Sequence, residues 1–208
     1  ADRKGNGSEG TRSNQTRTFV VNNLMKIWVS PDPELIPFRD AALAFLRKNP
    51  SMALAVHWGM VSVVYPFWFN VARQIGRLLA LQDQLTQTQI INRLKEQYGD
   101  RQTVSRYGRF VIRSFIAWDV LKDSQSKGCY EKTVPVSIVE SDLAILMLES
   151  ALWATPEAKG SMVLLLNNPA FFPFRLPMMT GDFVSLHNDR IEMVRYGLDD
   201  ELLKLKGS

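Results

Sequence analysis

The sequence contains few of the residues that build most catalytic and metal sites. It has one cysteine, Cys129, and two histidines, His57 and His187, which lie far apart along its 208 residues. A single cysteine excludes an intramolecular disulfide, and no zinc-type Cys/His spacing, phosphate-binding loop or nucleotide-binding fingerprint occurs. The sequence therefore predicts a protein without enzymatic activity, cofactor or metal. The lack of disulfides favours a reducing compartment, and we expect the cytoplasm.

The few reactive residues are explained more simply without a catalytic role. His57 stands in an apolar run and is expected to be a hydrogen-bonded core residue, whereas His187 stands in a predicted turn and should be solvated. Cys129 is expected to be an accidental thiol rather than a nucleophile. The acidic residues 199–201 suit the first turn of a helix better than a metal site.

The longest apolar run covers residues 51–69 and has the length of a membrane span. His57, Ser62 and the Tyr65–Pro66 break argue against a span. We expect a buried helix of a protein core and no membrane partner. Pro66 should open the next helix, because proline is tolerated in a first helical turn.

Basic side chains outnumber acidic ones in the first part of the chain, and acidic side chains outnumber basic ones in the last part. The formal net charge is only +4, but residues 1–133 carry 19 basic and 11 acidic side chains, against 6 and 10 in residues 134–208. A polyanion would therefore be attracted to the first 133 residues, which leaves the C-terminal region as the part that could face a partner protein.

Residues 1–17 contain almost no apolar side chains and cannot bury surface. Arg3, Lys4, Arg12 and Arg17 would suit a flexible arm that touches phosphate, and a plain solvated tail is the alternative. We expect this arm to be disordered unless a partner orders it.

Hydrophobic periodicity predicts helices on both sides of a central segment. Residues 18–65 form an N-terminal helical region, with one helix to Trp28 and another over 37–48. In the C-terminal region, 139–208, Ser141 is the predicted N-cap of a strongly apolar helix.

A β-hairpin and a last short helix are predicted near the C-terminus. Apolar residues alternate on both sides of a turn at 188–189, at Val184, Leu186, Ile191 and Met193. Residues 198–205 are predicted to form the final helix.

The segment 169–176 combines aromatic residues with prolines. Phe171, Phe172 and Phe174 around Arg175 could form a stacking site for nucleobases. The alternative is a loop whose aromatic rings fill the core or a subunit interface.

Two helices separated by a tight turn are predicted in residues 86–133. Thr86 or Thr88 can cap the first helix, and Gly99 fits the left-handed position that ends many helices. Asp100 is the predicted cap of the second helix. The apolar face of the first helix consists of Ile90, Ile91, Leu94 and Tyr98.

The second helix, predicted over residues 101–121, separates an apolar stripe from a basic one. The apolar stripe consists of Val104, Tyr107, Val111, Phe115, Trp118 and Leu121. The opposite face consists of Gln102, Arg106, Arg109 and Arg113. Arginine can pair bidentately with guanine and glutamine with adenine, while threonine and serine reach phosphate.

Two short strands are predicted after this helix, at Val120–Leu121 and 130–138, around a polar tip at 123–128. Three lysines, Lys122, Lys127 and Lys132, accompany these strands. Lysines in such a hairpin can lie over the sugar–phosphate backbone or a minor groove.

The order helix, turn, basic helix and β-hairpin over residues 66–138 resembles the winged helix–turn–helix superfamily. Together with the elements predicted on either side, it gives a mainly α fold with small β elements. The central winged helix is flanked by N-terminal helices and by a C-terminal helix plus β-hairpin. The resemblance also implies binding of double-stranded DNA by the second helix in the major groove. The expected DNA-binding residues are Arg101, Gln102, Thr103, Ser105, Arg106, Arg109, Arg113, Lys127 and Lys132.

The expected role is transcription regulation, or that of a DNA-contacting accessory subunit of a larger assembly, with the chain acting as a homodimer. The alternative is a scaffold or adaptor whose winged helix docks partner proteins, because such modules also serve protein–protein contacts. A ligand-sensing regulator also stays open, since the apolar N-terminal helices could enclose a pocket.

Overall fold

The computed structural model describes residues 18, 21–196 and 200–207, and they fold mainly into helices with small β elements, as the sequence predicts. Helix makes up 60% and strand 15%, so most of the packing is between helices. The basic arm predicted over residues 1–17 lies outside the described residues.

Helices α1–α7 lie where the sequence predicts helices, whereas α9 replaces a predicted strand. The first, α1, covers residues 21–29, of which Met25–Val29 form a π-helix. The others are α2 Ile36–Lys48, α3 Ala53–Val64, α4 Pro66–Leu79, α5 Gln87–Tyr98, α6 Gln102–Ala117, α7 Ser141–Trp153, α8 Met162–Leu166 and α9 Gly181–His187. Short 3-10 turns lie at Pro33–Leu35, Pro50–Met52 and Pro169–Phe171.

The strands form three small sheets. They are β1 Gln84–Thr86, β2 Leu121–Asp123, β3 Cys129–Lys132, β4 Val136–Ser137, β5 Lys159–Ser161, β6 Phe174–Arg175, β7 Ile191–Tyr196 and β8 Asp200–Leu205. The first sheet is antiparallel with order β1-β3-β2, the second pairs β4 with β6 in parallel, and the third is antiparallel with order β5-β8-β7.

The core is centred on Trp58 of α3, whose side chain is fully buried. Its ring contacts the rings of Trp68 and Phe115 at centroid distances of 4.5 and 5.2 Å. Phe172 and Phe174 approach the same ring at 5.7 and 5.3 Å. The aromatic segment 169–176 therefore fills the core, as the second of its two interpretations predicts, and Phe171 is buried as well.

The apolar run forms two helices rather than one. Tyr65 ends α3, and Pro66 occupies the first turn of α4, as predicted. Among the described residues, no single helix has the length and apolar content to cross a membrane. The helical segments 50–64 and 66–79 reach that length and apolar content only when they are taken together, and the chain bends by 119° between them.

The C-terminal predictions are wrong in two places. Residues 181–187 form helix α9, capped by Thr180, instead of a hairpin strand. Residues 200–205 form strand β8 instead of a helix, and the hairpin is β7–β8. The reason is tertiary: β8 lies between β5 and β7 and hydrogen-bonds both, a pairing that outweighs the helical pattern.

The predicted cap of α7 is also displaced by one residue. Glu140 is the N-cap, without a side-chain hydrogen bond, and Ser141 is already helical. Helix α7 is buried along most of its length, which explains its nearly uninterrupted apolar sequence.

A buried carboxylate that the sequence did not reveal joins α7 to the C-terminal sheet. Glu149 is 0% exposed and accepts hydrogen bonds from Arg190 at both oxygens, Nε to Oε1 and Nη2 to Oε2, each 2.7 Å. The side-chain amide of Asn188 donates to Oε2 at 2.7 Å. This bidentate contact raises the pKa of Arg190, in the direction opposite to the effect of its burial.

Candidate nucleic-acid interface

Strand β1 leads directly into α5 through a capping box. The Thr86 hydroxyl accepts from the Gln89 backbone N–H at 3.1 Å, and the Gln89 side chain accepts from the Thr86 N–H at 2.7 Å. Of the two predicted caps, Thr86 is therefore the one used. Because Leu85 of β1 pairs with Tyr130 of β3, the start of α5 is fixed to the hairpin.

The turn between α5 and α6 contains Gly99 at φ 85° and ψ 159°. The positive φ disfavours other residues, but the ψ lies outside the left-handed helical region that the sequence predicts. Asp100 does not cap α6, contrary to the prediction. Its carboxylate pairs with Lys95 at 2.8 Å, and Arg101 occupies the N-cap position. Asp100 thus ties the turn back to α5.

Helix α6 packs closely against α5 at Gly108. A Cβ at Gly108 would come within 2.8 Å of Ile91 Cδ1 and 2.9 Å of Leu94 Cδ1, so only glycine fits without displacing them. Gly108 and Ile112 join Val104, Val111 and Phe115 in the buried face. The prediction that Tyr107 belongs to that face is wrong: this ring is 43% exposed.

The opposite face of α6 is exposed, as predicted, and we call Gln102, Arg106, Arg109 and Arg113 the arginine face. Two exposed aromatic rings flank it: Tyr107, which the sequence assigned to the buried stripe, and Phe110, 55% exposed, to which the sequence assigned no role. The Arg106 guanidinium lies 5.2 Å from the centre of the Tyr107 ring. Phe110 follows Arg106 by one helical turn, a spacing that could have revealed its position.

An open groove runs along the start of α6. It is lined by Lys95, Asp100, Gln102, Thr103, Ser105, Arg106 and Arg109. Five of these seven residues belong to the set expected from sequence, and they lie together. Three cationic side chains face one carboxylate here, so the groove favours an anion.

Helix α6 ends at Ala117, one turn before the predicted end. Trp118 is its C-cap and Asp119 adopts φ 55°, which turns the chain into β2. Leu121, predicted as the last residue of the helical stripe, is buried from the strand instead. The hydrophobic period is thus continued by a different element.

The hairpin β2–β3 is shorter than predicted and is paired on both sides of β3. Residues 130–138 do not form one strand, because β3 ends at Lys132 and β4 pairs elsewhere. Gly128 forms the tip at φ 76°, and its carbonyl accepts from the Gln87 N–H at 2.8 Å. Burial raises the pKa of the Tyr130 hydroxyl, which donates to Gln87 Oε1 at 3.3 Å.

The hairpin and the arginine face meet at one contact. Arg113 of α6 lies 4.0 Å from the Asp123 carboxylate at the end of β2, with both side chains exposed. Lys122 is neutralised by Glu131 at 3.3 Å, whereas Lys127 and Lys132 are exposed. Arg101 is exposed at the N-cap of α6. The predicted cationic residues of α6 and of the hairpin are therefore all exposed to solvent.

Of the other reactive residues, Cys129 begins β3 in the hairpin, whereas the two histidines lie on α3 and α9. His57 is half-buried, with its ring edge-on to Trp28 at 5.1 Å, and burial lowers its pKa. His187 is exposed and stacks on Phe183. Among the described residues, no group of three or more His, Cys, Asp or Glu side chains is arranged to hold a metal ion.

No known protein family, curated protein or solved structure matches this chain at significant similarity. Functional inference consequently depends on the geometry of the chain itself.

Proposed function

We propose that the chain binds double-stranded DNA, with α6 in the major groove and the β2–β3 hairpin as a wing over the backbone. The observation that carries the proposal is the 4.0 Å contact between Arg113 and Asp123, because it brings the arginine face beside the hairpin. The order α4, β1, α5, α6, β2, β3 and the sheet order β1-β3-β2 support a winged helix–turn–helix.

Within this surface we assign two kinds of contact. Gln102, Arg106 and Arg109 lie in the groove at the start of α6, the part of a recognition helix that contacts base edges. Arg101, Thr103, Ser105, Arg113, Lys127 and Lys132 would bind phosphates and position the duplex. Phe110, exposed beside Arg106, is suited to contact a thymine methyl group.

In the cell this activity fits a transcriptional regulator or a DNA-contacting accessory subunit, and we place it in the cytoplasm. A homodimer would present two α6 helices to paired half-sites. The exposed apolar side chains Val21, Leu24, Met25 and Val29 on α1 favour such an association. Light scattering of the purified chain would give its oligomeric state.

The decisive experiment is a titration of mixed-sequence duplex DNA at low salt, followed by fluorescence anisotropy. Arg106→Ala combined with Arg109→Ala should weaken this binding, because two cationic side chains are removed from the proposed interface. On a defined target sequence, each lost base contact should cost about 1–3 kcal/mol. Arg47→Ala combined with Lys48→Ala, at the exposed end of α2, removes the same charge outside the surface and should have little effect. Equal affinities of the two variants would contradict the assignment.

A protein-docking scaffold is the second candidate. It is favoured by exposed apolar side chains outside the arginine face, namely Val134, Val136, Val139 and Met178. If the wild-type chain has no affinity for mixed DNA at low salt, yet forms a stoichiometric complex with the product of a neighbouring gene, the scaffold function replaces DNA binding.

A further inference from the structure

A second cationic groove lies between α4 and α5, outside the surface proposed for DNA. It is lined by Arg73, Gln74 and Arg77 of α4 and by Arg93, Glu96 and Gln97 of α5. None of these residues lines the groove at the start of α6. The two helices contribute three guanidinium groups and one carboxylate, so the groove carries an excess of positive charge.

Arg73 lies where burial of its charge should cost free energy unless a further group binds its guanidinium. Its guanidinium is half-buried, and its Nε is buried without a hydrogen-bond partner. Arg77 follows at i+4, a spacing at which like charges repel on a helix. Burial, and secondly Arg77, lowers the pKa of Arg73. A bound anion would compensate a desolvated cation that has an unused donor.

The protein itself supplies little negative charge here. Glu96 pairs with Arg93 at 3.2 Å, and no carboxylate in the described part of the chain forms an ion pair with Arg73 or Arg77. Arg73 donates instead to the neutral Asn70 side chain. Gln74 donates to Gln97 at 3.2 Å across the groove, which places carboxamide groups beside the guanidinium groups.

We propose that the α4–α5 groove is a binding site for a phosphate group. Planar guanidinium groups match the oxygens of phosphate bidentately, and Arg73, Arg77 and Arg93 approach from two rigid helices. The phosphate can belong to a free phosphorylated compound or to the backbone of bound DNA. The site does not depend on the arginine face, so it can be tested even if DNA binding fails.

The test compares the wild-type chain with Arg77→Gln, because Arg77 is exposed and its removal should not affect folding. Arg47→Gln on α2 is the charge-matched control. Binding of inorganic phosphate and pyrophosphate is measured at constant ionic strength by the shift of Tm. We expect Arg77→Gln to weaken phosphate binding about tenfold, while Arg47→Gln leaves it unchanged.

A parallel titration with duplex DNA separates the two sources of phosphate. A weakened phosphate response with unchanged DNA affinity supports a free compound. A DNA affinity reduced in Arg77→Gln but not in Arg47→Gln supports a backbone phosphate. If Arg77→Gln and Arg47→Gln behave alike in both titrations, the proposal is overturned, whatever the fate of the arginine face. Circular dichroism of each variant confirms that it is folded.

Discussion

In the C-terminal region Arg190 lies against a fully buried carboxylate, whereas in the central unit the arginines of α6 point into solvent. Arg190 makes two 2.7 Å hydrogen bonds to Glu149. The nearest acidic partner on the arginine face is Asp123, 4.0 Å from Arg113, with both side chains exposed. The same residue type therefore has its donors satisfied in one region and available in the other.

We therefore expect Arg190 to contribute to the stability of the fold and the arginines of α6 to contribute to binding. The ion pair between Arg190 and the buried Glu149 holds α7 to the hairpin β7–β8, and removing the guanidinium leaves a desolvated carboxylate. Exposed arginines contribute little to stability, because water screens them. Substitutions in the two regions should consequently affect different measurements, and each experiment below tests that division.

The largest effect is expected for Arg190→Met. It leaves Glu149, which is 0% exposed, without its cationic partner, and should lower the free energy of unfolding by about 3–5 kcal/mol in urea denaturation. Arg195→Met is the matched control, because Arg195 pairs with Asp182 at 2.5 Å where both side chains are exposed; it should cost under about 1 kcal/mol. Equal losses of unfolding free energy in Arg190→Met and Arg195→Met would contradict the distinction between an arginine paired with a buried carboxylate and an exposed arginine.

The second prediction concerns the junction of the two regions. A Cβ at Gly76 of α4 would lie 1.8 Å from the backbone carbonyl oxygen of Pro169, which cannot move aside easily. Gly76→Ala should therefore destabilise the protein by about 1–3 kcal/mol or more. Gly108→Ala is the matched control, since it meets only the flexible tips of Ile91 and Leu94. Thermal unfolding of both variants gives the comparison, and a Gly76→Ala variant as stable as Gly108→Ala would contradict it.

A smaller effect is expected for Lys127→Ala at the hairpin tip. If Lys127 binds one phosphate, its removal should reduce the slope of log K against log salt by about 0.9 for duplex DNA. The Tm should not change, because the side chain is exposed. The control, Lys48→Ala, should leave the slope unaltered. If Lys127→Ala also leaves the slope unaltered, Lys127 does not bind a phosphate.

The smallest effect concerns pH. Burial lowers the pKa of His57 from its ordinary value of 6.5, so the unfolded chain binds more protons there than the folded one. Stability from neutral His57 is present above pH 6.5 and decreases as pH falls towards the folded-state pKa. His57→Phe should flatten this decrease. Chemical denaturation of the wild-type chain and of His57→Phe, from mildly alkaline to mildly acidic pH, gives the free energy of unfolding of each. Parallel curves of this free energy against pH would show that His57 does not contribute to the pH dependence.

Much of the fold could be predicted where local signals agreed with packing. The Tyr65–Pro66 break, the Thr86 cap and the end of α5 at Gly99 are local chemistry, and the structure has each of them. The C-terminal errors arose where pairing across the sheet prevailed. Residues 200–205 have a helical pattern, yet β8 satisfies its backbone on β5 and β7.

The candidate site was predicted more fully than the packing beneath it. The arginine face is exposed as the helical spacing indicated, while Tyr107 was misplaced because hydrophobicity alone cannot show how near α5 lies. Gly108 marks that approach, but a glycine within a helix has several explanations in a sequence. The groove around Lys95 was missed for the same reason, since its walls come from two helices.

The sequence by itself determined the mainly helical fold, the basic first 133 residues and the exposed face that places Gln102, Arg106, Arg109 and Arg113 together. These properties follow from composition and from the 3.6-residue period. Only the tertiary structure decided which arginines are free: Arg190 is held by Glu149, Arg113 reaches the hairpin, and Arg73 lacks a charged partner beside Arg77 within the described chain. Charge pairing depends on distances between elements, and no local pattern contains them.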